Sequence, residues 1–292
     1  MKKYFLLTGI VLFIQLTVFS QKSSPQLLLR LDDNGMNHAV TKAIGQVAAT
    51  GIPFSTSVMF ACPWYQEAVA VLKEYPKVSV GVHLTLNSEW KYFRWGPVLG
   101  QTAVPSLVDS NGYFYPSTIV FLKSNYKLEE VEKELSAQID RAIRSGLQID
   151  YVDYHMGTAT ATPELRAIVE KLAKKYKLGI SRYFGENYHT MFDTPIEQKK
   201  NDFLNRMQQL STDKVNLFVM HVAEATPEMN ALVDMNNTDQ HSETKPVVAL
   251  HRNAELKTLL SAEFQDMIKK GKLKLVTYRD LIKEAGLEDM KP

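Results

Sequence analysis

Past residue 25 the chain alternates short apolar runs with longer stretches of helical spacing. Leu27-Leu28-Leu29-Arg30-Leu31 is almost continuously apolar, as suits a strand buried on both faces, and it stops at Asp32-Asp33-Asn34-Gly35. Residues 37–49 place Val40, Ala43, Ile44 and Val47 on one helical face behind Asn37, whose side chain can accept a backbone N–H at a helix start. The unit recurs, with 56–60 reading as a strand, 65–74 as a helix and Val78 to Leu84 as a strand. Leu128, Val131, Leu135, Ile139 and Ile143 line one face of a helix over 128–145, and Ile149 to Val152 make a strand running into Asp153-Tyr154-His155. Thr162-Pro163-Glu164 opens another helix, because proline fits the first turn and an acid there meets the positive end of the helix dipole. Further strands are predicted at 178–182, 215–220, 246–250 and 273–277, with helices at 195–210, 254–270 and 279–285. Residues 85–126 show no clear period but carry Trp90, Tyr92, Phe93, Trp95, Tyr113, Phe114 and Tyr115.

About seven strands alternating with helices, uninterrupted by a Pro/Gly/Ser-rich linker, predict one α/β domain over 21–292 whose parallel sheet curls into a (β/α) barrel. The first twenty residues read differently. Lys2-Lys3, the apolar stretch 4–19 and Val18-Phe19-Ser20 have the layout of a secretory signal cut after Ser20, which predicts a secreted or periplasmic protein. The apolar run is about 16 residues, short of the ~20 needed to span a bilayer, and Gln15 interrupts it. No stable membrane insertion is expected. Composition adds two exclusions. Lys+Arg 34 against Asp+Glu 32 gives a charge of +2, and losing Lys2 and Lys3 leaves 2 − 2 = 0, so nothing in the charge supports a nucleic-acid partner. The single cysteine, Cys62, permits neither an internal disulfide nor a CxxC metal pair, so a metal site has to be built from His and carboxylates.

The polar chemistry sits where strands stop. Asp32-Asp33 follows the first strand, His83 closes the third, Asp153 and His155 close the next, and His221 follows Asn216 to Met220. In parallel β/α folds those ends open onto one face, where active sites form. Asp33, His83 and His155 could together hold one divalent ion and leave positions for water and substrate. Side chains alternate along an extended strand, so of Asp32 and Asp33 one should bind the ion and the other act as base. His221, from a separate strand, suits a general acid. Two imidazoles and one carboxylate favour zinc, whereas magnesium prefers more oxygen. Trp90 and Trp95 are candidate stacking surfaces for a sugar ring, and Arg182 and Arg252 are candidate polar contacts to substrate. Each piece alone has a structural reading: Asp-Asp-Asn-Gly makes turns, and histidines often serve as hydrogen-bonded core residues. His38, His189 and His241 read as structural, and Cys62 as a small buried apolar residue.

Taken in order, LRLDDNGMNHAV, VGVHLTLN, SLVDSNGYF, ELSAQIDRAIRSGLQIDYVDYH, RNAELKTLLS and KLKLVTYRDL resemble the successive blocks of the YdjC-like carbohydrate (chito-oligosaccharide) deacetylases, relatives of the polysaccharide deacetylases. The resemblance runs from about Leu27 to Leu281. It implies a distorted (β/α) barrel that uses one divalent metal, zinc or magnesium, to remove the acetyl group from an N-acetylated oligosaccharide. By position it implies Asp33, His83 and His155 as ligands, Asp32 as the base and His221 at the family's late-strand histidine. Two departures stand out: Val222-Ala223 replaces the usual Pro-Gly, and Met156-Gly157-Thr158 follows His155 where relatives often carry further histidines. Rival readings are a metal-dependent phosphoesterase, which would want a second metal and more basic residues, and a non-catalytic glycan-binding protein, which would keep the aromatics without an ion.

Overall fold

In the computed structural model, residues 24–236, 247–288 and 290–292 are described, so the expected signal segment and His241 lie outside the described residues. The chain opens with β1 (Gln26–Asn34), α1 (His38–Ala49), β2 (Ser55–Val58), α2 (Tyr65–Glu74) and β3 (Ser79–Leu84). After a long excursion come α3 (Thr118–Lys123), α4 (Leu128–Arg144), β4 (Ile149–Tyr154), α5 (Pro163–Tyr176), β5 (Gly179–Ile180) and β6 (Asn187–Thr190). The last part holds α6 (Lys199–Met207), β7 (Asn216–Met220), α7 (Pro227–Asn230), α8 (Val247–Leu259), α9 (Ala262–Lys269), β8 (Lys274–Val276) and α10 (Tyr278–Ala285). All ladders are parallel, in the order β5-β4-β3-β2-β1-β7-β6, with β8 paired to the start of β1. The sheet curls into a distorted (β/α) barrel, and the connection 181–186 links its two end strands. No helix among the described residues is long and apolar enough to cross a membrane.

The period-two alternation of β1 explains how the barrel is filled. Leu27, Leu29 and Leu31 pack in the large core that includes the helices, whereas Leu28 joins Tyr151, Leu217, Val219, Val276 and Tyr278 in a separate interior cluster. Further along β1 the interior-facing positions are Arg30 and Asp32, so the inside of the barrel turns from apolar to polar as it approaches the C-terminal strand ends. Asn37 caps α1 by accepting the Val40 N–H at 3.0 Å, and Thr162 caps α5 with Pro163 in its first turn, as their sequence positions predict.

Two expectations need correction, and one strand goes unforeseen. Residues 247–250 are not a strand but the start of α8, where Val247, Val248 and Ala249 are buried and Leu250 is exposed; a short apolar run has no period that separates strand from buried helix. The helix expected over 254–270 is broken, because Ser261 caps a new helix by accepting the Phe264 N–H. Strand β6 escapes detection since Asn-Tyr-His-Thr is polar and pairs only on its β7 side.

The aperiodic stretch after β3 is held by the buried polar stripe of α4. Glu130 accepts from the Ser106 N–H, Glu134 from the Val98 and Leu99 N–H groups, and Gln138 exchanges two hydrogen bonds with the Thr85 backbone. These i, i+4, i+8 positions lie beside the apolar face that buries Val131, Leu135 and Ile139. One helix thus supports both the sheet and the segment that carries Glu89, Trp90 and Trp95.

Gly81 lies opposite Tyr151 in the β3–β4 ladder, and a Cβ built there would clash with the edge of the Tyr151 ring. Tyr151 is fully buried, packs against Tyr278 in a tilted pair with ring centres 4.2 Å apart and shares a hydrogen bond with Ser57. Gly81→Ala should therefore lower stability by about 1–3 kcal/mol through overpacking. Urea denaturation of the variant against wild type measures this; an unchanged midpoint would contradict the packing described.

Candidate metal centre

The end of β1 departs from regular strand geometry. Its pairing with β2 slips between Leu31 and Asn34, so the ladder runs Leu31↔Thr56 and then Asn34↔Val58. Within that bulge Asp33 adopts φ 62, a left-handed conformation that aspartate tolerates better than most residues. The extra residue overrides strict alternation. Asp32 and Asp33 are both buried, and each belongs to a cluster of potential ligands that includes His83. The expectation that the two acids face opposite sides holds for a regular strand and fails here because the strand is bulged.

Asp33 Oδ1 lies 3.3 Å from His83 Nε2 and 3.4 Å from His155 Nδ1, and the two nitrogens are 3.3 Å apart. A tetrahedral ion with bonds of ~2.0–2.1 Å spaces its donors ~3.3 Å apart, so the triangle has the size of one face of such a site. The oxygen itself is buried and has no hydrogen-bond partner. A buried carboxylate oxygen without a donor is unfavourable unless something electropositive meets it, and the donor set fits a divalent cation.

Each imidazole is oriented from behind by a carboxylate that can only accept. Asp153 Oδ1 lies 2.9 Å from His83 Nδ1, which fixes that nitrogen as the donor and leaves Nε2 facing the triangle. Glu89 Oε2 is 2.9 Å from His155 Nε2, which leaves Nδ1. Carboxylates in this position set the tautomer of metal-ligating histidines and raise their donor strength. Trp95 packs edge-on to the His155 ring at 6.1 Å.

The electrostatics follow from these contacts. Burial opposes the charge on Asp33, but Arg252 and then the adjoining imidazoles of His155 and His83 hold its carboxyl well below the usual carboxylate range. Burial would make both imidazoles less basic, yet Asp153 and Asp32 raise His83 well above its ordinary value, and Glu89 with Asp33 raises His155 to about 9. Without a cation the cluster therefore retains protons, and ion and protons compete for the same nitrogens.

Arg252 Nη2 donates to Asp33 Oδ2 at 2.6 Å, and its guanidinium lies over the Trp90 ring at 5.7 Å. Trp90 and Trp95 are 5% and 3% exposed, and the Trp95 N–H is spent on the Asn87 carbonyl at 2.7 Å. Of the tryptophans, Trp64 is the exposed one. Arg182 is exposed, with its guanidinium 5.1 Å from the centre of the exposed Tyr188 ring. Arg30 holds Asp32 with two bonds of 2.7 Å and reaches Asp153 Oδ2 at 3.0 Å, while Ser57 donates to that same oxygen at 2.8 Å. His221 follows β7, across β1 from β3 and β4; burial and Arg252 lower its proton affinity against the pull of Asp33.

Glu89 and Arg30 are the positions at the site that sequence reasoning passes over. Glu89 sits in the stretch without period, where no strand end points to it. Arg30 had a signal, since a cation inside an apolar strand two residues before Asp32 shares a face with it.

Among curated proteins, the chain is 32% identical over 215 residues to a carbohydrate deacetylase of Enterococcus faecalis, covering 73% of this chain and 76% of the relative. It is 29% identical over 269 residues to a carbohydrate deacetylase of Brevibacillus brevis, covering 88% and 99%. Among solved structures, an Enterococcus faecalis protein provisionally assigned to cellobiose-phosphate cleavage superimposes with a TM-score of 0.69 at 26% identity, over 89% of this chain and 99% of that one. The sequence profile of the family described as YdjC-like protein matches residues 26–270, and the chain belongs to that family.

Proposed function

We propose that this chain is a metal-dependent carbohydrate deacetylase that hydrolyses the N-acetyl group of an amino-sugar-containing oligosaccharide, releasing acetate and a free amine. The observation that carries this reading is the convergence of Asp33 Oδ1, His83 Nε2 and His155 Nδ1 around one point, with Oδ1 buried and unpartnered, in a family whose curated relatives are named carbohydrate deacetylases. A divalent ion held by those atoms, zinc by the chemistry of the donors, supplies Lewis acidity to the acyl oxygen and to the attacking water.

The chain's own residues do the rest. Asp32 accepts the proton of the attacking water, and the two-point grip of Arg30 keeps its carboxylate from rotating away. His221 approaches from the β7 side and delivers a proton to the departing nitrogen. Burial and Arg252 lower its proton affinity, which favours giving a proton up, and the proton that leaves the attacking water balances the one delivered. Trp90 and Trp95 act from beneath, bracing Arg252 and His155, while Arg182 and Tyr188 offer exposed groups to the sugar. The cluster Asp32–His83–Asp153 disfavours a two-metal phosphoesterase, because the Arg30 guanidinium already binds both of its carboxylates. The layout of residues 1–20 supports a reaction outside the cytoplasm.

The direct test is acetate release from a panel of N-acetylated oligosaccharides with added zinc or magnesium. Acetate appearing mole for mole with new amine supports the reading. Phosphate release from sugar phosphates, or glycan binding without turnover, would replace it with one of its rivals.

The adjacent acids should give different signatures. Asp32→Asn keeps the metal but loses the proton acceptor, lowering turnover by roughly a hundredfold or more at every metal concentration. Asp33→Asn weakens the site and leaves Arg252 without its buried counter-charge, so metal occupancy, rate and denaturation midpoint should all fall. Metal-titrated kinetics distinguish a low plateau from a right-shifted curve, and exchanged signatures would reverse the two roles.

Glu89→Gln tests the contribution that only the structure reveals. Losing the charge behind His155 should weaken metal affinity about 10–100-fold, with the fold intact by circular dichroism. Wild-type affinity in a competition titration against a chelator would remove Glu89 from the site.

A further inference from the structure

Behind His221 lies a buried ion pair that the mechanism above leaves unused. Lys199, at the start of α6, is 1% exposed; its Nζ donates to Glu255 Oε1 at 2.6 Å and to the Met191 carbonyl at 2.7 Å. The second carboxylate oxygen, Oε2, accepts the backbone N–H of His221 at 2.7 Å. That amide is the first beyond the ladder, since β1–β7 pairing stops at Leu31↔Met220 and β6–β7 pairing at Thr190↔Val219. It has left the sheet and needs another acceptor. The same turn of α8 grips the next residues, as Ala223 N–H donates to the Arg252 carbonyl and Asn253 Nδ2 donates to the Ala223 carbonyl, both at 3.3 Å. Its Arg252 guanidinium holds Asp33.

A buried Lys–Glu pair is weak evidence for stability, because well-packed apolar residues often replace such pairs without loss. A charge-assisted N–H···O⁻ bond is shorter and stronger than a neutral one, which suits a role in orientation. We propose that Glu255 is a positioning residue: neutralised by Lys199, its carboxylate fixes the main chain at His221 and so sets where that imidazole stands relative to Asp33. The turn Arg252–Glu255 thereby holds the ligand side and the proton-donor side of the site in one register. This inference rests on the reading of His221 as the proton donor.

Two double variants remove the charge pair alike but differ in the acceptor. Lys199→Met/Glu255→Gln retains an oxygen for the His221 N–H, and Lys199→Met/Glu255→Leu does not. With metal content and KM matched, kcat of the leucine variant should lie roughly ten- to a hundredfold below that of the glutamine variant, as expected for a misplaced group. NMR of the metal-free proteins gives a readout independent of turnover. The His221 amide proton should lie downfield in wild type, and in the leucine variant it should move upfield as the ring signals broaden. Equal kcat in the two variants, or a His221 amide and ring unmoved between them, overturns the proposal. Should wild type release no acetate, the deacetylase reading fails separately, and the NMR comparison alone decides whether Glu255 positions His221. Should the leucine variant fail to fold, Glu255→Gln alone replaces it, with a lower kcat at unchanged KM and an upfield amide as the expected result and wild-type values as the overturning one.

Discussion

Buried negative charge is the constraint that organises this site. Four carboxylates, on Asp32, Asp33, Glu89 and Asp153, are buried at the C-terminal end of the barrel, facing two guanidiniums, on Arg30 and Arg252. The formal sum is −4 + 2 = −2. A low-dielectric interior does not tolerate that deficit, so it must be met by protons on imidazoles or by a cation. The raised proton affinities of His83 and His155 are the first solution, and a divalent ion at the Asp33 triangle is the second. Both place two positive charges among the same atoms. The size of the triangle fits one ion, and the charge count is met by two protons or by one divalent cation alike.

The barrel supplies that charge cluster with a rigid support. Interior positions pass from Leu28, Tyr151 and Leu217 to Arg30, Ser57 and Asp153, and then to His83 and Asp32. Tyr151 belongs to the apolar cluster through its ring and to the polar layer through its hydroxyl, which meets Ser57, itself a donor to Asp153. A change in packing near Gly81 can therefore reach the carboxylate behind His83 in two hydrogen bonds. Packing and electrostatics meet at one side chain, and orientation of a proposed ligand depends on how well the aromatic floor is filled.

How far the sequence disclosed this depends on periodicity. Strand ends are visible because apolar runs stop, so the sequence groups Asp33, His83 and His155, and the structure brings them together. The β/α alternation likewise disclosed the barrel. Periodicity fails where backbone geometry is irregular or where contacts are remote in sequence. The bulge at Asp33 leaves no mark in residue type, so alternation misassigned the directions of the acids. Glu89 lies 66 residues before its partner His155, and Arg252 lies 219 residues from Asp33. Trp90 and Trp95, read as a surface for sugars, instead bury their rings against Arg252 and His155, because aromatic residues report that something large packs there and not what.

The departures from the family pattern acquire a physical sense in this setting. Met156 and Gly157, with φ of 52 and 73, turn the chain sharply after His155 and leave Met156 on the surface, while Thr158 binds Asn87 and Thr118. That side of the site is lined by threonine hydroxyls, which do not titrate near neutral pH. Elsewhere, His38 is paired with Glu67 and His189 is stacked on Phe218. On the proposed reading proton delivery falls to His221, an imidazole that feels the charge of Asp33 without being one of the three converging donors. The segment after it is Val222-Ala223 and not Pro-Gly, so its main chain lacks the stiffness of proline. The conformation that proline would restrain is held here by α8, through the carboxylate of Glu255 and the amide of Asn253. The loss of a rigid residue in the loop and the presence of a buried ion pair behind it are, on this view, two sides of one solution.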